Sequence, residues 1–324
     1  MKKTTKNLLI GSGIAAGITA LGALHRSSAR RLMEIALDRE EPPAISRSRE
    51  RLRGSKRLAE ISEKLNAGAA WLESCGCEPI TITGQDGTRL IGHWYCPAKP
   101  QRAIVAMHGW RSSWSQDFGL IAPFWHQNNC AVLYAEQRGQ GESGGDHMGF
   151  GLLERYDCLD WIRWLHRRTE GKLPLYLGGV SMGAATILMT AGFDLPESVR
   201  GIVADCGFTS PHAIWKHVLE HNLHLPYGLY SATARQMLQR KLREEAYSCT
   251  EALRNCRVPV LFVHGTDDHF VPVEMTYENY KACAAPKRLF IVPGAEHGMS
   301  YLVDQQGYEE AVLKFWQEND QKNG

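Results

Sequence analysis

The chain has 324 residues, of which 44% are hydrophobic, with nine tryptophans and a formal charge of +2 at neutral pH. Such a chain can bury a large core, which excludes an intrinsically disordered protein. The small net charge hides an asymmetry: residues 1–57 carry thirteen Lys and Arg against five Asp and Glu, a local +8, while the remainder carries 24 against 30, a local −6.

The first element in chain order is Leu8 to Leu24, seventeen residues without a charge, flanked by Lys2, Lys3 and Lys6 before it and Arg26, Arg30 and Arg31 after it. That is the lower length limit of a membrane span, and Gly13 with Gly17 forms a small-xxx-small pair. A single-pass anchor over residues 1–30 is expected. It is preferred to a cleaved signal peptide ending near Ala20 or Gly22, because arginines follow at once and the stretch exceeds a usual h-region. A soluble amphipathic arm ranks third, and charge on both flanks leaves the orientation open. Residues 31–77 read as a basic helical connector. Its Arg47, Arg49, Arg51, Arg53, Lys56 and Arg57 suit anionic headgroups or a solvated helix. No nucleic acid is expected as a partner.

From residue 78 the pattern becomes that of a catalytic body. Glu78 to Thr83 and Thr88 to Cys96 flank Gly84-Gln85-Asp86-Gly87, and Asp-Gly between apolar runs predicts a hairpin. Strands follow at Ala103 to Met107, ended by His108-Gly109-Trp110, and at Cys130 to Ala135. Leu152 to Arg168 reads as an amphipathic helix with Trp161, Trp164 and Leu165 on its apolar side. Further strands are expected at Leu175 to Val180, Val199 to Asp205, Val258 to Val263 and Arg288 to Val292. Strands alternating with helices predict an α/β fold with a mostly parallel, doubly wound sheet that opens on an antiparallel pair.

Chemistry concentrates at the strand ends. Gly179-Val180-Ser181-Met182-Gly183 is G-x-S-x-G between a strand and a small-residue helix, where a sharp turn lifts the serine hydroxyl clear of the sheet. Asp267 and Asp268 follow the strand ending at Val263, and His297 stands in a glycine-bounded loop after Val292. The order is Ser, Asp, His, each beyond the carboxyl end of a strand, where open parallel sheets bind ligands.

These four motifs, in this order over residues of about 78 to 320, resemble the serine hydrolases of the α/β-hydrolase superfamily. The resemblance implies a Ser181, Asp268, His297 triad, the family spacing before Val271-Pro272 selecting Asp268 over Asp267. It also implies that the backbone N–H groups of Trp110 and Met182 form an oxyanion hole. His297 would take the serine proton and Asp268 would hold its tautomer. Glu136-Gln137-Arg138-Gly139-Gln140-Gly141-Glu142-Ser143 resembles a structural loop of the same family, with Glu136 in place of the usual Asp. It lacks the Gly-Lys-Ser/Thr of a phosphate cradle.

Residues 208–257 interrupt the alternation and are expected to form a helical lid within a 78–324 domain. The apolar residues of this insertion, among them Ile214, Trp215, Leu219, Leu223, Tyr227, Leu229 and Tyr230, either line an acyl pocket or only pack the lid. His217 and His221 are an i, i+4 pair, but no third ligand is evident and no metal or other cofactor is expected. Nine cysteines are an odd number, and Cys96, Cys130, Cys158 and Cys206 fall in core elements, as buried thiols do. The reading is a carboxylesterase or lipase-like enzyme acting on a small acyl ester or lipid-like substrate at a membrane. A peptidase or acyltransferase on the same triad is the alternative, and an inactive hydrolase-shaped binding protein is the alternative from another class.

Overall fold

The structure is a computed structural model and describes residues 27–40, 56–228, 230–231 and 247–320. Eight strands form one sheet: β1 (Glu78–Thr83), β2 (Arg89–Tyr95), β3 (Arg102–Met107), β4 (Cys130–Ala135), β5 (Leu175–Val180), β6 (Val199–Asp205), β7 (Val260–Gly265) and β8 (Lys287–Val292). Their spatial order is β1-β2-β4-β3-β5-β6-β7-β8. Strand β2 runs antiparallel to both neighbours, and every other pairing from β4 to β8 is parallel. The expected α/β sheet with its opening antiparallel pair is therefore present.

Burial explains the strand sequences. Central strands β4 and β7 are buried at every position, so they read as continuous apolar runs, as strands covered on both faces do. Edge strand β1 buries only Ile80 and Ile82, and only in part. The expected hairpin closes with Gly84 N–H on Thr88 O at 2.8 Å, and Gly87 takes φ +84°.

The sheet separates two apolar layers. On one face Val105, Leu133, Leu177 and Phe262 pack with Trp161 and Leu165, Ile187 and Leu188. These come from helices α5 (Glu154–Arg168) and α6 (Met182–Thr190). On the other face Ile104, Val132, Tyr134 and Leu261 pack with Phe118, Trp125 of α4 (Ala122–Gln127), Phe315 and Trp316. Successive strand residues thus serve opposite layers, the period-2 geometry of a pleated strand.

Two helices that precede β1 pack on this body. Residues 27–37 form α1, whose Ala29, Met33 and Leu37 are buried in the first layer. Helix α2 (Lys56–Ser74) buries Leu72 in the second layer and crosses α3 (Trp114–Phe118). The crossing is close enough that a Cβ on Gly68 would stand 2.9 Å from the carbonyl carbon of Gly119. The arginines at 47, 49, 51 and 53 lie outside the described residues.

The single-pass anchor requires correction. No helix among the described residues is long and apolar enough to cross a membrane. Leu8 to Leu24, on which the anchor rested, lies outside those residues. The segment sits at the minimum length for a span and is diluted by glycine and alanine, so its composition does not by itself impose insertion. The membrane assignment is withdrawn.

Within the insertion at 208–257, Pro211–His217 is helical and continues as a π-helical turn over Val218–Asn222, and Cys249–Arg254 is helical again. Residues 229 and 232–246 lie outside the described residues. Ile214, Trp215, Leu219, Tyr227 and Tyr230 are buried in the first layer, whereas Leu223 is 46% exposed.

Candidate active site

The turn from β5 to α6 is set by steric exclusion. Ser181 has φ 55° and ψ −116°, a strained conformation for a residue with a side chain. A Cβ at Gly179 would lie 2.6 Å from the carbonyl carbon of Gly183, and a Cβ at Gly183 would collide with the carbonyl oxygen of Met107. Both glycines are therefore required for the helix to start this close to the end of β3. The Ser181 amide donates to Asp205 O at 2.9 Å, which ties the turn to β6.

The structure brings Ser181, His297 and Asp268 into one hydrogen-bonded line. Ser181 Oγ is 2.9 Å from His297 Nε2, and His297 Nδ1 is 2.6 Å from Asp268 Oδ2. An ionised carboxylate only accepts, so the imidazole proton sits on Nδ1, leaving Nε2 to accept from the hydroxyl. Asp268 is buried, and its Oδ1 accepts from the amides of Phe270 at 2.9 Å and Val271 at 2.8 Å. Burial alone would raise its pKa. The hydrogen bonds from His264 and His297, with that from the Val271 amide, outweigh it and hold the carboxyl well below the usual range. The neighbouring Asp267 is exposed and accepts from the Thr266 hydroxyl at 2.8 Å, away from His297.

The loop after β3 closes on the serine. A Cβ on Gly109 would lie 3.4 Å from Ser181 Cβ. Asp117 braces this loop from below, its Oδ2 accepting from Gly109 N–H at 2.6 Å and its Oδ1 from Ser112 Oγ at 2.5 Å. His108 is buried, and burial pushes its pKa down. Its Nε2 accepts from Gln137 N–H at 3.1 Å, which places the proton of this neutral ring on Nδ1, 2.9 Å from Gly109 O. Met182 opens α6, so its amide has no intrahelical acceptor and points out of the positive end of the helix. Trp110 and Ser181 line the same cavity.

That cavity measures about 250 Å³ and runs from Ser181 and His297 into the second apolar layer. Its walls include Leu65 of α2, Phe118 of α3, Leu120, Ile121, Tyr301 and Leu302. Among the described residues, none from the 208–257 insertion lines it. Of the two readings of the insertion's apolar residues, the structure supports packing for Ile214, Trp215, Leu219, Tyr227 and Tyr230. Sequence reasoning missed the α2 wall, although Ile61, Leu65 and Leu72 already carry a helical spacing. It also missed Asp205, a carboxyl at the end of β6 that accepts from Ser300 Oγ at 3.0 Å and whose pKa burial raises to about 6.

Among the described residues, the group dense enough to hold a metal ion is Cys206, Asp268 and His297, with donor atoms within 4.8 Å of one another. It overlaps the Ser181–His297–Asp268 line, and burial pushes the Cys206 thiol far up, away from the thiolate a metal needs. His217 and His221 stack at 4.5 Å, and their ring nitrogens face the carbonyls of His269 and His217. The Glu136 loop is folded inward: Glu136 Oε1 meets His93 Nε2 at 2.8 Å, and Oε2 accepts from the amides of Glu142 and Ser143. Its amides are turned toward its own carboxylate.

A single reversed strand ahead of a serine turn, in an otherwise parallel sheet, is the architecture of the α/β hydrolases, and the chain belongs to that superfamily. Residues 98–227 match the family described as serine aminopeptidase, S33. The chain is 30% identical over 242 residues to the Bacillus subtilis (strain 168) protein YqkD, covering 73% of this chain and 78% of that one. It is 28% identical over 250 residues to YfhR of Escherichia coli (strain K12), covering 74% and 80%. In fold it is similar to an esterase of Pyrococcus furiosus, with a TM-score of 0.63 and 21% identity over 76% of this chain and 93% of that one.

Proposed function

We propose that the protein is a serine hydrolase that cleaves carboxylic esters through an acyl-enzyme. The observation that carries this is the unbroken line from Ser181 Oγ through His297 to buried Asp268, opening on an apolar cavity. In this reading His297 Nε2 takes the hydroxyl proton as Ser181 attacks the carbonyl carbon, and returns it to the leaving alcohol. The same base then activates the water that releases the acid. The amides of Trp110 and Met182 stabilise the oxyanion, each donor contributing about 3 kcal/mol in comparable sites.

The cavity favours an ester with an uncharged acyl group. Its walls are mostly aliphatic and aromatic, and among the described residues no Lys or Arg lines it. The family description and the triad chemistry also admit a peptidase. An aminopeptidase would need a carboxylate offered to the substrate ammonium, but among the described residues both aspartates lining this cavity are engaged, Asp117 by Gly109 N–H and Ser112 Oγ and Asp205 by Ser300 Oγ. The Pyrococcus furiosus neighbour, an esterase by name, agrees with the ester reading.

The test is steady-state hydrolysis of aryl acyl esters of increasing chain length by the full chain, with Ser181→Ala beside it. Turnover lost in the variant is the expected result. Labelling of Ser181 by a fluorophosphonate without ester turnover would redirect the assignment to peptidase or transferase chemistry. Neither labelling nor turnover would leave a binding protein.

A further inference from the structure

Helix α1 ends on the loop that follows β3. The last carbonyls of a helix have no donor within it, and here outside groups take them up. Arg111 Nη2 donates to Ile35 O at 2.8 Å and Asp38 O at 2.6 Å, and Trp110 Nε1 donates to Ala36 O at 2.8 Å. Met148 N–H takes Leu37 O at 2.7 Å. Two consecutive loop residues therefore cap the helix, and a guanidinium at its C-terminal end complements the helix dipole.

The grip is firm at both ends. Helix α1 buries Ala29, Met33 and Leu37, and beyond it the Arg39 guanidinium donates to Ser143 O at 2.7 Å while the Arg39 amide donates to Asp146 O at 3.0 Å. At the other end Arg111 holds φ 51°, a left-handed conformation that a residue with a Cβ adopts only when its surroundings impose it. Its guanidinium also lies 5.2 Å over the Trp110 indole.

We infer that Arg111 is a positioning residue: by gripping the terminal carbonyls of α1 it fixes the Trp110 peptide, and so makes residues 27–40 part of the hydrolytic apparatus. The inference rests on the acyl-transfer reading proposed above, in which the Trp110 amide receives the oxyanion. A displacement of about an ångström in such a group can cost on the order of a hundredfold in rate.

The experiment compares full-length wild type, Arg111→Ala, Arg111→Lys and Trp110→Phe, with kcat normalised to sites titrated by a fluorophosphonate. Arg111→Ala should lose roughly tenfold to a hundredfold in kcat with KM little changed. Arg111→Lys should fall between, and millimolar guanidinium ion should restore part of the kcat of Arg111→Ala. A merely structural role would lower the titrated fraction and leave kcat per site at the wild-type value, and that result overturns the inference. If Arg111→Ala does not fold, Arg111→Lys and Trp110→Phe carry the same comparison. If the wild type shows no ester turnover, it is the proposed function that fails. Hydrogen exchange then decides the inference: amides of 35–40 and 109–112 should exchange faster together in Arg111→Lys, and unchanged exchange in both segments overturns it.

Discussion

His264 and His297 aim ring nitrogens at the same atom, Asp268 Oδ2, from 3.1 and 2.6 Å. His264 Nε2 also faces Val271 O at 2.8 Å, so that nitrogen carries a proton and is a second donor to the carboxylate beside His297. Asp268→Asn should keep the fold and lower kcat by roughly 10³ to 10⁴, because the amide no longer fixes the Nδ1–H tautomer of His297. Asp267→Asn, at an exposed position, should leave turnover within about twofold. Comparable loss in both variants would defeat the choice between the two aspartates.

Gly183→Ala should be among the most damaging small substitutions in the chain. Its methyl group would meet the backbone carbonyl of Met107, which cannot move aside as a flexible side chain can. Overpacking of this kind costs about 3 kcal/mol, and a thermal melt should drop by roughly 6–12 °C. A melt within 2 °C of wild type would mean that the turn relaxes more easily than its geometry implies.

Asp205 makes a signed pH prediction. Burial raises its pKa to about 6, above the value near 4 of an unfolded aspartate. A carboxyl shifted upward favours the folded state fully below the unfolded pKa, and that contribution is lost as pH rises from about 4 through about 6. Asp205→Asn, which can still accept from Ser300, should therefore gain stability of order 2 kcal/mol relative to wild type at pH 8 over pH 4. Urea midpoints at the two pH values measure it. An equal difference at both would show that the buried carboxyl is not responsible.

Arg138 is held by Asp157 through two bonds, Nε to Oδ2 at 2.6 Å and Nη2 to Oδ1 at 2.5 Å, and by Asp86 at 2.8 Å. Arg138→Met leaves Asp157 buried without its cation, which should cost about 3–5 kcal/mol in a denaturant titration. Burial raises the Asp157 pKa to about 7 even beside Arg138, so the loss should ease as pH falls below about 7 and Asp157 takes up a proton. A cost below about 1 kcal/mol would reduce the Glu136–Gly145 turn to a surface loop.

The sequence by itself determined the sheet and the side chains that meet at its edge. Runs such as Cys130 to Ala135 read as strands covered on both faces, and Gly179 and Gly183 around Ser181 mark a turn that a Cβ at either glycine would block. Once the strands are parallel, their carboxyl ends share one edge, so Ser181, Asp268 and His297 are neighbours despite separations of 87 and 29 residues. What only the tertiary structure decided depends on contacts between segments distant in the chain, which local periodicity does not encode. The apolar residues after Phe208 look the same in sequence whether they line a pocket or fill a core, and the fold places Ile214, Trp215, Leu219, Tyr227 and Tyr230 in the core. The cavity wall falls instead to Leu65, on a helix that reads as a connector. Arg111 carries no sequence signal at all, because its partners are backbone carbonyls more than seventy residues away, and backbone groups look alike until the fold places them.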